Sequence, residues 1–323
     1  MTRRLSRSVL VALAAFAVAT ASSAVAATPG SGVPAPVVTG SVCPAPGSAT
    51  ALARITRGAG ERSYSPTQLR RIDRQLQRRV PVSSARRAAR RFGLVLRIPV
   101  RAHVIADRNN SGASEQQVLA QIRVMNDAYA GAQSVDGAQT RFTFYLASYD
   151  RVVNRRWRTA SIADSAAATY RRSLHVGGAA DLNLYVAAPA SAEQGTVLGW
   201  STPPWRVNRN PRVDGVTIHE ASMPGGALPY YNQGDTVVHE VGHWLGLLHT
   251  FEGGCSPEGD LVDDTPAELD PSNGCDTTKD TCTADGLDPV HNFMDYSPDA
   301  CMDMFTPGQV SRMIANWLAY RTP

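Results

Sequence analysis

Lysine is almost missing from this 323-residue sequence: of 32 basic residues only Lys279 is a lysine, and the rest are arginine. Together with abundant alanine, that bias reads as GC-rich codon usage and points to a bacterial source. Carboxylates are equally scarce at one end. Residues 1–101 hold seventeen arginines against Glu61 and Asp73, a net charge of +15, while residues 102–323 hold fifteen basic residues against twenty-six acids, a net charge of −11. The basic stretch lacks interleaved aromatic residues, which argues against a nucleic-acid partner. No apolar run reaches the roughly 18 residues of a membrane span, so no membrane association is expected once a leader is removed. Internal repeats are absent, which sets repeat architectures aside. None of the five cysteines forms a CxxC pair, and this weighs against a cysteine zinc site.

What is present is ordinary for a globular protein, with 43% hydrophobic and 19% charged residues. Arg3, Arg4 and Arg7 precede an apolar run at 9–19 and the small-residue site Ala24-Val25-Ala26, the order of a secretory signal over residues 1–26. The product is then secreted and extracellular, in an oxidising medium. Residues 27–92 read as an Arg-rich prosegment whose first half, rich in Pro, Gly, Ala and Val, is a flexible lead-in. By charge complementarity this prosegment is expected to dock on the acidic remainder as an intramolecular inhibitor; the competing reading is a solvated basic stretch. Ser65-Pro66 opens an amphipathic helix with Leu69, Ile72 and Leu76 on one face, and SSARRAARR, 83–91, reads as an exposed, cleavable linker.

From residue 94 the pattern switches to period two. Leu94, Leu96, Ile98, Val100, Ala102 and Val104 face one way, with Arg97, Pro99, Arg101 and His103 on the other, a half-buried strand. Ser114 and Gln117 form a capping box ahead of the stripe Val118, Ile122, Met125 and Tyr129, which Gly131 ends. Further strands are expected at 141–147, 182–186 and 215–220, a helix from Asp235, and a closing helix after Thr306-Pro307. Strands and a helix followed by a loop-rich half give an α+β domain over residues 93–323.

Chemistry concentrates in HEVGHWLGLLH, residues 239–249. Residues four apart share a helix face, so His239 and His243 can point at one metal ion, with Glu240 beside it. On a continuing helix His249 would lie about 240° round and about 9 Å further along, out of reach. The helix must end, and Gly246 is where it can, because glycine accepts the left-handed conformation. Three histidines leave zinc a fourth position for water, the open arrangement of a catalytic site. Glu240 is then the general base of peptide hydrolysis. A bare HExxH arises by chance in about a few per thousand such chains, and the added Gly and His reduce that to about one in 10⁵. Histidines merely satisfied on an amphipathic helix are disfavoured, because a glutamate would sit poorly on so apolar a helix.

The extended motif resembles the metzincin clan of zinc peptidases, whose second signature is a methionine turn, here Asn292-Phe293-Met294-Asp295-Tyr296. HTF (249–251), GDLVDDTP (259–266) and NFMDYSPDACMDMFTPGQVSRM (292–313) resemble the pappalysin (M43-like) family in particular. The resemblance implies a zincin-like twisted mixed sheet above the active-site helix, a methionine turn and a C-terminal helix. It also implies an edge strand that pairs with extended polypeptide substrates, for which 215–220 is the candidate; His219 on it reads as an outward residue and not a ligand. Carried over, His239, His243 and His249 hold one zinc ion, Glu240 is the base, Met294 packs beneath the imidazoles, and Tyr296 stabilises the oxyanion. An ordinary buried tyrosine is the alternative for Tyr296.

Cys255, Cys275, Cys282 and Cys301 are expected to pair in an oxidising medium, and spacing alone leaves three connectivities. The resemblance implies Cys255–Cys282 and Cys275–Cys301. It also implies a calcium site at Asp260, Val262, Asp264 and Thr265, in an acidic stretch that otherwise reads as solvated loop with Asx turns. Cys43, left over in the prosegment, is the candidate latch that keeps a zymogen latent by ligating zinc. Asp295, Asp299 and Asp303 suggest basic side chains after the scissile bond. A zinc amidase acting on a non-protein amide, or an inactive binding or adhesion protein, are the alternatives to an endopeptidase.

Overall fold

In the computed structural model the chain runs β1 (Ile55–Thr56), α1 (Pro66–Arg79), β2 (Leu96–Ala106), α2 (Glu115–Tyr129), β3 (Phe142–Val153), α3 (Arg155–Arg158), α4 (Ser165–Leu174), β4 (Leu182–Ala187), β5 (Thr196–Val197), β6 (Gly199–Ser201), β7 (Val216–His219), α5 (Asp235–Trp244) and α6 (Pro307–Asn316). The structure describes residues 55–56, 64–81, 83–85, 87, 95–108, 111–190, 196–284 and 286–322, all within the unit Ser41–Pro323. The expected signal peptide, the Pro- and Gly-rich lead-in and Cys43 lie outside the described residues.

A five-stranded sheet in the order β3-β2-β4-β7-β6 forms the frame. Its first four strands are parallel, and β6 joins β7 antiparallel. The alternation read along β2 holds as far as Ala102, after which His103, Val104, Ile105 and Ala106 are all buried. The end of β2 is covered on both faces, with Val104 in the main core and Ile105 packed with Ala166, Ala167 and Tyr170, which a half-buried pattern does not anticipate. His103 is accommodated by its ring nitrogens, which lie 2.7 Å from the Asp150 carboxylate and 3.0 Å from Asn183 Oδ1. The expected strand at 141–147 runs on to Val153, with a register shift beside Val100.

The capping box of α2 is present, and Val118, Ile122, Met125 and Tyr129 are buried. That stripe ties the sheet to α5: Gln121 donates to the Gly234 carbonyl at 2.8 Å, and the Tyr129 hydroxyl to the Val238 carbonyl at 3.1 Å. At the other end of α5 the Arg321 guanidinium, fully buried, donates to the Trp244 carbonyl and to the Asp214 carboxylate. The active-site helix is therefore fixed from both ends.

α1 carries its capping box and buries Leu69, Ile72 and Leu76. Three such side chains contribute about 1.5–3 kcal/mol each. The described ion pairs are weaker: Arg70 meets Glu258 at 3.5 Å between half-exposed groups, where about 0–1 kcal/mol is the rule. The other pair, Asp73 with Arg312, even has the opposite polarity from a basic segment on an acidic partner. Within α1 the described contacts are apolar first, through Leu69, Ile72 and Leu76. Ala85 is also fully buried in the main core, so the 83–91 stretch is not exposed at that point.

Candidate metal centre

Every residue of α5 is buried, His239, Glu240 and His243 included. The helix ends as its sequence requires. Gly246 has φ +97°, its N–H donates to the His243 carbonyl, and the Leu247 N–H donates to the Gly242 carbonyl. The reversed chain returns His249 to the other two histidines.

The imidazole tautomers follow from their partners. His239 Nδ1 lies 2.7 Å from the Phe293 carbonyl and His243 Nδ1 2.9 Å from the Leu247 carbonyl, so both Nδ1 atoms carry the proton. Their Nε2 atoms then present lone pairs, yet His243 Nε2 stands 3.0 Å from His239 Nε2 and 3.1 Å from His249 Nε2. Three lone pairs aimed at one point repel unless a cation sits among them, so the donor set fits zinc. His239, His243 and His249 are the one group of this kind among the described residues.

Met294 lies directly beneath the helix. A Cβ placed on Gly242 would come 2.4 Å from its sulfur, so glycine at this position lets the methionine turn approach. Tyr296 sets its ring 5.0 Å from His249 and 5.9 Å from His239, and Phe251 stacks on His249 at 4.7 Å. Behind them runs a polar chain. Thr250, next to His249, donates to Glu268; Ser272 donates to Glu268 and, through its N–H, to Asp295. Burial, then the neighbouring Glu268, pushes the Asp295 carboxyl up to about 7.

The edge strand is β6, a correction to the expectation for 215–220: β7 is flanked by β4 and β6, and among the described residues no strand pairs with the other side of β6. β6 was too short to register as a period-two signal. Its Gly199 is pressed against the candidate base, since a Cβ there would lie 2.7 Å from Glu240 Cγ. His219 stands apart from the triad and is half-buried; its Nδ1 accepts the Ala221 N–H at 3.1 Å. Burial holds it below its usual range. The structure joins Cys255 to Cys282 and Cys275 to Cys301. Asp295 and Asp299 direct their carboxylates to backbone N–H groups of Ser272 and Gln233, so neither supports the suggested preference for basic substrates. Glu252, which no sequence motif marks, lies 3.9 Å from His249 Nδ1 and accepts the Tyr64 N–H.

A metal position left open beside a buried carboxylate suits a hydrolytic centre, and with the methionine turn below it the class is that of the metzincin metallopeptidases. The Peptidase M43 family, described as pregnancy-associated plasma protein-A, matches residues 221–318. An extracellular metalloprotease of Pyricularia oryzae is 42% identical over 239 residues, 72% of this chain and 78% of the relative. Extracellular metalloprotease 1 of Coccidioides posadasii is 40% identical over 68% of this chain and 76% of its own length. Among solved structures, mature mirolysin of Tannerella forsythia in complex with a cleaved peptide is similar with a TM-score of 0.58 and 26% identity, over 71% of this chain and 99% of that one. A promirolysin mutant from the same organism has a TM-score of 0.62 and 25% identity, over 80% of this chain and 90% of that one. The chain belongs to the M43, or pappalysin, family and is an extracellular metalloprotease.

Proposed function

We propose that the protein is a zinc endopeptidase acting on extended polypeptides. The convergence of three histidine Nε2 atoms, two of them fixed in tautomer by backbone carbonyls, carries the reading. His239, His243 and His249 would hold the ion, which when bound supplies an acidified water and polarises the scissile carbonyl. Glu240 takes the proton of the attacking water and passes it to the leaving amine. The Tyr296 hydroxyl donates to the oxyanion, and the outer side of β6 pairs with the substrate backbone. Casein cleavage should be abolished by o-phenanthroline and lost in Glu240→Ala with zinc retained. A fully active Glu240→Ala protein sinks the assignment.

The likeness to promirolysin supports synthesis as a zymogen with residues 27–92 as prosegment. β1 pairs parallel with β5, which leads into the edge strand, and Tyr64 lines the cleft beside His243 and His249. Cys43 is the proposed latch, and Cys43→Ala should give a zymogen that leaks activity. For calcium, Asp260 and the Val262 carbonyl both lie 2.9 Å from Thr265 Oγ1, and burial pushes the Asp260 carboxyl up to about 7. Asp264 instead accepts from Thr306 and the Gly308 N–H at the start of α6. A calcium-selective chelator should lower Tm, and an unchanged Tm refutes the site.

A further inference from the structure

We propose that the cleft beside the histidine triad selects substrates with an acidic side chain, Asp or Glu, flanking the scissile bond; this rests on the peptidase reading above. The cleft encloses about 690 Å³ with His243 and His249 at its metal end. Four arginines line it: Arg171 and Arg172 from α4, and Arg206 and Arg209 from the loop after β6. The single carboxylate in the lining is Glu252, which already accepts the Tyr64 N–H and sits by His249. This balance of charge is opposite to that of residues 102–323 as a whole, which are acidic.

The four arginines have different duties. Arg171 is buried and donates to Thr202 Oγ1 and the Gly215 carbonyl, fixing the chain where β6 leaves the sheet. Arg172 and Arg209 are exposed and Arg206 is half-buried, and these three are the groups left to meet a substrate. The cleft wall also holds Trp200, Trp205 and Val213. At such exposure each of the three attracts a carboxylate only modestly, and the preference comes from several guanidinium groups of one sign lining one cleft. Ser201 and Thr202, at the end of the edge strand, line the same cleft. A peptide paired along β6 therefore passes over it and lowers a side chain among the arginines. A planar guanidinium accepts a carboxylate in a forked pair, whereas a substrate lysine would meet like charge.

The test uses protein secreted from the full chain and matched peptides carrying Glu, Gln or Lys at each position within three residues of the scissile bond. The Gln peptide is the neutral reference, and its hydrolysis checks the peptidase reading separately. At one position kcat/KM should fall by about tenfold from Glu to Gln and further for Lys. The Glu preference should shrink at 0.5 M salt, where screening is nearly complete within about 5 Å. In Arg172→Glu combined with Arg209→Glu, both positions exposed, the order of the Glu and Lys peptides should reverse when each rate is taken relative to the Gln peptide on the same variant. Equal rates for Glu and Gln at every position, a preference for Lys, or a Glu preference unmoved by the double reversal overturns the proposal. If no peptide is cleaved, the peptidase reading falls and the preference with it.

Discussion

Gly242→Ala separates the requirements of a helix from those of a metal site. In a helix interior the change from glycine to alanine is favourable by about 1 kcal/mol. Here the new Cβ would stand 2.4 Å from Met294 Sδ and 3.3 Å from its terminal methyl carbon, inside a core where both residues are buried. Overpacking of that kind costs about 1–3 kcal/mol, so the net effect on stability is a loss of about 0–2 kcal/mol. The larger consequence falls on the metal. If the methionine turn retreats, it carries away the Phe293 carbonyl that accepts from His239 Nδ1 at 2.7 Å. Loss of such an outer partner lowers metal affinity by about 10–100-fold, or about 1.4–2.7 kcal/mol. Zinc Kd by chelator competition, with Tm of the metal-free protein alongside, reads both effects. Combining Gly242→Ala with Met294→Ala should restore part of the affinity, because the collision is gone. A Gly242→Ala protein with a raised Tm and an unchanged zinc Kd refutes the packing argument.

Tyr296→Phe should reduce kcat by about 10²-fold with zinc content unchanged, since it removes one donor to the oxyanion; an unaltered kcat makes Tyr296 a packing residue. His219 titrates below its ordinary value, chiefly through burial, and its Nδ1 must stay unprotonated to accept the Ala221 N–H. The fold thus favours the neutral ring, and stability falls as pH drops below about 6.5, the unfolded value. His219→Gln should flatten that part of the Tm-against-pH curve, and an unchanged acid slope argues against it. Because α1 docks through Leu69, Ile72 and Leu76, prosegment inhibition should survive 1 M salt and weaken at least tenfold in Leu76→Ala, from the loss of about 2–5 kcal/mol. Inhibition that disappears in salt would return the docking to charge.

Local signals accounted for the elements that matter most. Gly246 had to end the active-site helix because no other geometry brings His249 back, and the structure uses the glycine in that way. The capping box read at Ser114 and Gln117 forms, and the helix openings read at Ser65-Pro66 and Thr306-Pro307 are capped in the same way. The edge strand was misplaced for a complementary reason. β7 has the β-branched run that looks like a strand, while β6 is three residues, Gly-Trp-Ser, without periodicity. Its place at the rim follows from pairing with β7, 15 to 19 residues on, and from Gly199 meeting Glu240, 41 residues on, contacts that no local pattern encodes. The same applies to the cleft arginines, which come from α4 and from the loop after β6, with β4 between them in the chain.

The solitary lysine has its explanation in three dimensions. Lys279 Nζ donates to Glu268 at 2.8 Å, to Asp288 at 3.0 Å, to the Asp270 carbonyl at 2.5 Å and to Ser272 Oγ at 3.2 Å. Four acceptors gathered around one nitrogen suit an ammonium, a compact charge that donates in several directions, and not the flat fork of a guanidinium. Both carboxylates it meets are fully buried as side chains, so removing the ammonium would leave charge uncompensated in the interior. Glu268 in turn accepts from Thr250, beside His249, and from Ser272, which holds Asp295 in the methionine turn. A sequence that elsewhere uses arginine for every positive charge thus keeps one lysine at the junction between the disulfide-bonded loops and the two segments that complete the metal site.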